Sequence, residues 1–183
     1  QQIMADDNEI RELEQRLRDP ATVRQAFTDA IQRFSEPLYW QIRRMVGNHD
    51  DADDLLQNTF MKAWSAIENF RGQASLSTWL HKIAINESLS FLERRRRTYT
   101  ESIDTPEAAS VAAPSHFDGE ELAGRLRMAV DTLPPKQKLV FNMKYFDDMK
   151  YERISEILGT SVGALKASYH SATKKIENFF GGE

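Results

Sequence analysis

The chain has 183 residues, 40% of them hydrophobic and 28% charged, which is enough apolar surface for a packed core and too much for a wholly disordered protein. It contains no cysteine, which excludes disulfides, thiolate metal sites and a cysteine nucleophile, and no apolar run approaches the roughly 20 residues that a membrane span needs. The net charge of −4 argues against a general nucleic-acid binder, whose affinity for duplex comes largely from neutralising phosphates.

The charge is unevenly distributed. Residues 1–70 hold eight basic against thirteen acidic side chains, 71–97 six against two, 98–121 none against six, and 122–183 ten against seven. Two basic blocks therefore stand on either side of an acidic one. A reducing, cytoplasmic address fits the cysteine-free composition. Gln1 is expected to be a cloning remnant with Met4 as the native start, and no charged-then-apolar signal peptide follows it.

Periodicity is helical almost throughout and no strand-like alternation is bounded by turn residues, so an all-α fold is expected. Asp19-Pro20, an N-cap before a proline, opens a helix with Val23, Phe27, Ala30, Ile31 and Phe34 on one face. Ser35 is expected to cap the next helix, which carries Leu38, Tyr39, Ile42, Met45 and Val46 and stops at Gly47-Asn48. A third helix runs from Asp50 to about Ile67 with the stripe Leu56, Phe60, Ala63, Trp64 and Ile67. After a glycine-containing loop around Arg71-Gly72-Gln73, a long helix spans about Ser75 to Arg97.

Residues 98–118 contain two prolines, four acids and no Lys or Arg, and read as a flexible acidic linker. The expected organisation is therefore two small helical domains, 1–97 and 119–183, joined by that linker. In the second domain, helices are expected near 119–132, from Gln137 to Tyr145, near 150–158 and near 161–179, with a break at Leu133-Pro134-Pro135.

Three constellations could carry function. The last two helices, joined by Gly159-Thr160-Ser161, form a helix-turn-helix pattern, in which the second helix enters the major groove. Leu165, Tyr169, Ala172 and Ile176 would face its core, leaving Ser161, Val162, Gly163, Lys166, Ser168, His170 and Lys174 outside. On the third helix Asp50, Asp53, Asp54 and Gln57 crowd opposite the apolar stripe, which suits either a solvated N-terminal turn or a docking surface for a basic partner. The long helix carries Trp79, His81, Lys82, Asn86 and Arg94-Arg95-Arg96-Arg97 behind a Gly-Gln-Ala-Ser loop, a set that suits unpaired bases and phosphates. A tryptophan such as Trp79 is more often core than a base platform, and an arginine run can simply complement a helix dipole. A carboxylate metal hydrolase built on His49, Asp50, Asp53 and Asp54 is a third class of reading, alongside a helix-turn-helix regulator acting alone.

Taken together these segments resemble the small, extracytoplasmic-function class of RNA polymerase sigma factors. DDADDLLQNTFMKAW is similar to sigma region 2.2, FRGQASLSTWLHKIAINESLSFLERRRR to regions 2.3 and 2.4, and LPPKQKLVFNMKYFDDMKYERISEILGTSVGALKASYHSATKKI to region 4. The resemblance implies that core RNA polymerase and promoter DNA are the partners, without membrane insertion, cofactor, metal or catalysis, and that an anti-sigma factor is a further partner. Asp53, Asp54, Gln57, Asn58, Met61 and Lys62 would dock on the clamp helices of the β′ subunit. Arg71, Gly72, Gln73, Ala74 and Ser75 would receive a flipped −10 base near Asn86, with Trp79, Lys82 and Arg94, Arg95, Arg96 and Arg97 along the same DNA. Region 4 would bind the β flap and read the −35 element through Ser161, Val162, Gly163, Ala164, Lys166, Ala167, Ser168, His170 and Lys174. The acidic linker would thread the polymerase cleft. Ala164, Ala167, Ser168 and Ser171 stand where the family often carries Thr, Ser and Arg, so fewer phosphate contacts and a shallower salt dependence are expected.

Overall fold

The computed structural model describes residues 2–101 and 119–181. Eight α-helices are present among them and no strand. The chain divides into two compact units, 1–88 and 89–183. The expected linker lies mostly outside the described residues.

The first unit opens with α1 (Gln2–Leu17), which sequence reading left unassigned. Leu13 and Leu17, four residues apart, share one face and are buried. Residues 19–22 then form a turn instead of a helix start: Asp19 Oδ1 accepts from the Ala21 amide at 2.9 Å, and the next helix begins at Val23.

That helix, α2, runs unbroken from Val23 to Val46, where two helices were expected. Ser35 does not cap anything. Its hydroxyl donates to the Ile31 carbonyl one turn back, and Pro37 sits inside the helix. An interior proline costs about 3 kcal/mol. Phe27, Phe34, Leu38, Ile42, Met45 and Val46 are all buried along one face, and at roughly 1.5–3 kcal/mol for each large side chain their burial exceeds that cost severalfold.

Helix α3 (His49–Ser65) begins at Asn48, whose side chain accepts from the Asp51 amide at 2.9 Å. Its buried face is Ala52, Leu55, Thr59, Phe60 and Ala63, rotated from the expected stripe. The small Ala52 and Ala63 on this face are both fully buried. Trp64 is left 40% exposed at the edge, with its ring 5.0 Å from that of Phe27. A short 3₁₀ turn (Ile67–Asn69) leads to the loop before α4 (Leu76–Glu101), which continues four residues past the expected end at Arg97. His81 of α4 is buried and its Nδ1 pairs with Gln41 Oε1 of α2 at 2.5 Å.

The second unit contains α5 (Gly119–Asp131), α6 (Pro135–Phe141), a π-helical turn over Asn142–Phe146, α7 (Tyr151–Leu158) and α8 (Val162–Gly181). Ala129, Val130, Leu133, Phe141, Ala172 and Ile176 form its buried cluster. Helix α7 ends at Gly159, whose φ of 68° is the left-handed conformation that side chains disfavour, and its amide returns to the Ser155 carbonyl at 2.8 Å.

Candidate nucleic-acid and partner interfaces

On α3, Asp50, Asp53, Asp54, Gln57, Asn58, Met61 and Lys62 are all exposed. The carboxylates occupy the first half of the helix, where the amide ends of the backbone favour negative charge. Gln57 Nε2 donates to Asp53 Oδ2 at 3.3 Å, while Met61 adds an apolar surface that is 68% exposed. Lys62 differs from its neighbours: its ammonium forms an ion pair with Glu87 of α4, whose side chain is only 8% exposed. The sequence offered no sign of this pairing across 25 residues. His49, weighed earlier as a metal ligand beside the aspartates, shares a 2.6 Å hydrogen bond with the Tyr39 hydroxyl.

The loop 71–75 is exposed, and Gly72 adopts a φ of 73°. A Cβ there would lie 3.3 Å from Arg18 Nη1, so both the dihedral and the space favour glycine. Ser75 caps α4: its Oγ accepts from the Thr78 amide at 3.2 Å and donates to Thr78 Oγ1 at 3.0 Å. Its hydroxyl is thus partly committed to the helix. The Leu76 amide donates to Glu14 of α1 at 2.7 Å, a partner that sequence reading missed.

Along α4, Trp79 is half-buried with its ring 5.2 Å from that of Phe70, which makes it packing as much as platform. Lys82 and Asn86, one turn apart, are exposed on the same side of the helix. Arg94, Arg95, Arg96 and Arg97 are exposed further along. Glu93 pairs with Arg96 at 3.0 Å and Arg97 at 3.1 Å, and the Arg96 hydrogen bonds in particular hold its carboxyl below the usual carboxylate range. Arg95 lies over the Phe91 ring at 5.5 Å.

In the second unit Ser161 caps α8, accepting from the Ala164 amide at 3.2 Å. Leu165, Ala172 and Ile176 are buried and Tyr169 is half-buried, in the inward positions expected from the spacing. Ser161, Gly163, Ala164, Lys166, Ala167, His170 and Lys174 are exposed, with Val162 and Ser168 half-buried. Tyr151 of α7 carries two cations over its ring, Lys144 at 4.8 Å and Lys166 at 5.7 Å. Burial first, and the neighbouring Tyr151 and Tyr145, raise the pKa of the Tyr169 phenol.

Two family models match the chain in order: Sigma-70 region 2 over residues 30–98 and Sigma-70 region 4 over residues 123–176. Among curated relatives, the ECF RNA polymerase sigma-E factor of Haemophilus influenzae is 30% identical over 166 residues, covering 85% of this chain and 87% of the relative. The chain belongs to the extracytoplasmic-function class of the sigma-70 family. The sigma factor SigV of Bacillus subtilis is likewise 30% identical, over 129 residues that cover 70% of this chain and 75% of that one. The fold is shared with two solved structures. RpoE of Bartonella quintana, in complex with the anti-sigma factor NepR, has a TM-score of 0.65 at 23% identity and covers 85% of this chain and 96% of its own. CnrH, in complex with the cytosolic domain of CnrY, has a TM-score of 0.70 at 20% identity and covers 95% and 98%. As a sigma factor, the protein is a transcription-initiation subunit acting with RNA polymerase on promoter DNA. A helix-turn-helix regulator working without polymerase would have no use for region 2. Helix α1 and the start of α2 lie outside the matched residues.

Proposed function

We propose that residues 1–97 dock on core polymerase and capture the melted −10 element, and that residues 119–183 read the −35 element. Lys82 and Asn86, exposed one turn apart on α4 behind a loop shaped by Gly72, are the observation that carries this reading. An extruded base needs hydrogen-bonding edges and a backbone able to approach it, and Gln73 and Asn86 supply the first while Gly72 supplies the second. Asp53, Asp54, Gln57, Asn58 and Met61 form the face offered to the β′ clamp helices. Lys62 joins them at its margin, tied to Glu87. Arg94, Arg95, Arg96 and Arg97 meet phosphates, which position a protein without specifying sequence. On α8, Ser161, Val162, Gly163, Ala164, Lys166, Ala167, Ser168, His170 and Lys174 face the −35 duplex, and the unit around them binds the β flap.

The protein works by binding and by stabilising unpaired DNA, not by covalent catalysis, and does so in the cytoplasm. An anti-sigma factor is its further partner, a reading supported by the anti-sigma factor named as the partner of RpoE. Run-off transcription from a promoter selected with the reconstituted holoenzyme tests the core of this. Core polymerase alone should give background transcript and the addition of this protein a defined start. Equal transcript with and without it would reject the proposal.

A further inference from the structure

The first helix expected from the sequence opens at Asp19-Pro20, and the region 2 match begins at residue 30. Yet α1, ahead of both, reaches the loop assigned to base capture. Glu14 Oε1 accepts the Leu76 amide at 2.7 Å, across 62 residues of sequence. Leu76 is the first residue of α4 and is buried, so its amide is one of the helix-start donors that no intrahelical carbonyl can satisfy. Ser75 holds the Thr78 amide, and Glu14 takes the one that the local cap does not. A carboxylate at that position is favoured twice, by the charge-assisted hydrogen bond and by the positive end of the helix.

One turn beyond Glu14, Arg18 Nε donates to the Glu14 carbonyl at 3.3 Å, and its guanidinium lies against Gly72. The same turn of α1 therefore meets the loop 71–75 at Gly72 and the helix start just after it. Helix α1 is itself fixed to α2. Arg16 pairs with Asp29 at 2.7 Å, Arg33 pairs with Asp6 at 3.1 Å and Glu9 at 3.2 Å, and Leu13 and Leu17 are buried.

We propose that Glu14 is a positioning residue for promoter melting: through the Leu76 amide it fixes the entry of α4 and so pre-orders the loop that receives the unpaired base. A loop ordered beforehand has less freedom to lose on binding. This rests on the assignment of loop 71–75 as the capture loop, and the test separates the two.

Holoenzyme is reconstituted with wild-type, Glu14→Ala, Glu14→Gln or Gln73→Ala protein. Each is titrated with a fluorescein-labelled single strand carrying the −10 element of a promoter that the wild-type holoenzyme opens. Glu14→Ala should weaken this binding about tenfold, the scale of one lost charge-assisted hydrogen bond, while assembly with core polymerase is unchanged. Glu14→Gln keeps a carbonyl oxygen for the Leu76 amide and should recover most of the loss. Hydrogen exchange at the Leu76 amide should quicken in Glu14→Ala, with α2 and α3 unaffected. Faster exchange at Leu76 with undiminished oligonucleotide binding overturns the positioning role while leaving the capture loop in place. So does equal weakening in Glu14→Gln and Glu14→Ala. If Gln73→Ala binds the oligonucleotide as wild type does, the capture assignment itself fails, and the role of Glu14 falls with it.

Discussion

Removing the Lys62 ammonium should destabilise the first unit, even though Lys62 lies on a face assigned to polymerase docking. Its partner Glu87 has a side chain 8% exposed, whereas that of Lys62 is 65% exposed. Stripping the partner from a fully buried pair costs about 3–5 kcal/mol. Here the vacated position opens to solvent, so water can replace part of the lost interaction, and the expected penalty for Lys62→Ala falls to about 1–2 kcal/mol. For a unit of this size that lowers the melting midpoint by roughly 5–10 °C. All three tryptophans, Trp40, Trp64 and Trp79, lie in the first unit, so intrinsic fluorescence during thermal unfolding follows that unit alone. Glu87→Gln removes the charge that Lys62 neutralises, and the double variant should regain most of the stability lost by Lys62→Ala. The reasoning is refuted if Lys62→Ala melts with the wild type, or if the double variant is no more stable than the single one. The double variant then serves a second purpose, since any polymerase-binding defect it retains belongs to docking and not to folding.

Asp53→Lys with Asp54→Lys should abolish co-elution with core polymerase in gel filtration, at least a hundredfold loss by the usual value of interfacial charges, with helical circular dichroism unchanged. Asn86→Ala should spare folding and polymerase binding but lose about 1–3 kcal/mol of open-complex stability, read by permanganate reactivity of unpaired thymines. A template already mismatched across the −10 element should recover only part of that loss, and full reactivity on paired DNA would assign Asn86 a structural role. Lys166→Ala should weaken holoenzyme binding to a −35 duplex and lower its salt slope by about one, measured by titration at several salt concentrations. An unchanged slope would remove Lys166 from the phosphate contacts.

What the sequence made legible was local. The inward set Leu165, Ala172 and Ile176 follows from helical spacing alone, and Ser161 caps α8 as its position after Gly159 suggests. The misreadings arose where tertiary packing overrode a local signal. Ser35-Glu36-Pro37 has the form of a helix start, yet the buried face on either side of it carries α2 straight through. The large Leu56, Trp64 and Ile67 suggested the inward stripe, but Ile67 lies in the 3₁₀ turn beyond α3, and the buried face is Ala52, Leu55, Thr59, Phe60 and Ala63, whose alanines and threonine a search for large apolar side chains passes over. Contacts between distant residues were out of reach for the same reason. Nothing near Glu14 announces Leu76, and nothing near Lys62 announces Glu87. In α1, Leu13 and Leu17 were the available signal, four residues apart among alternating charges.

The π-helical turn over Asn142–Phe146 also bears on how this chain tolerates changes of length. Its register is marked by the Asp147 amide returning five residues to the Asn142 carbonyl at 3.2 Å. The wider turn accommodates one residue more than an α-helix would. Just before it Phe141 is buried, with its ring stacked on Tyr145 at 5.1 Å and on Tyr169 at 5.7 Å. Deleting one residue of the turn would let it relax to ordinary α geometry while the residues on either side keep nearly the same register. A single-codon deletion here is therefore milder than one inside α8, where it would turn the buried Leu165, Ala172 and Ile176 out of register by about 100°.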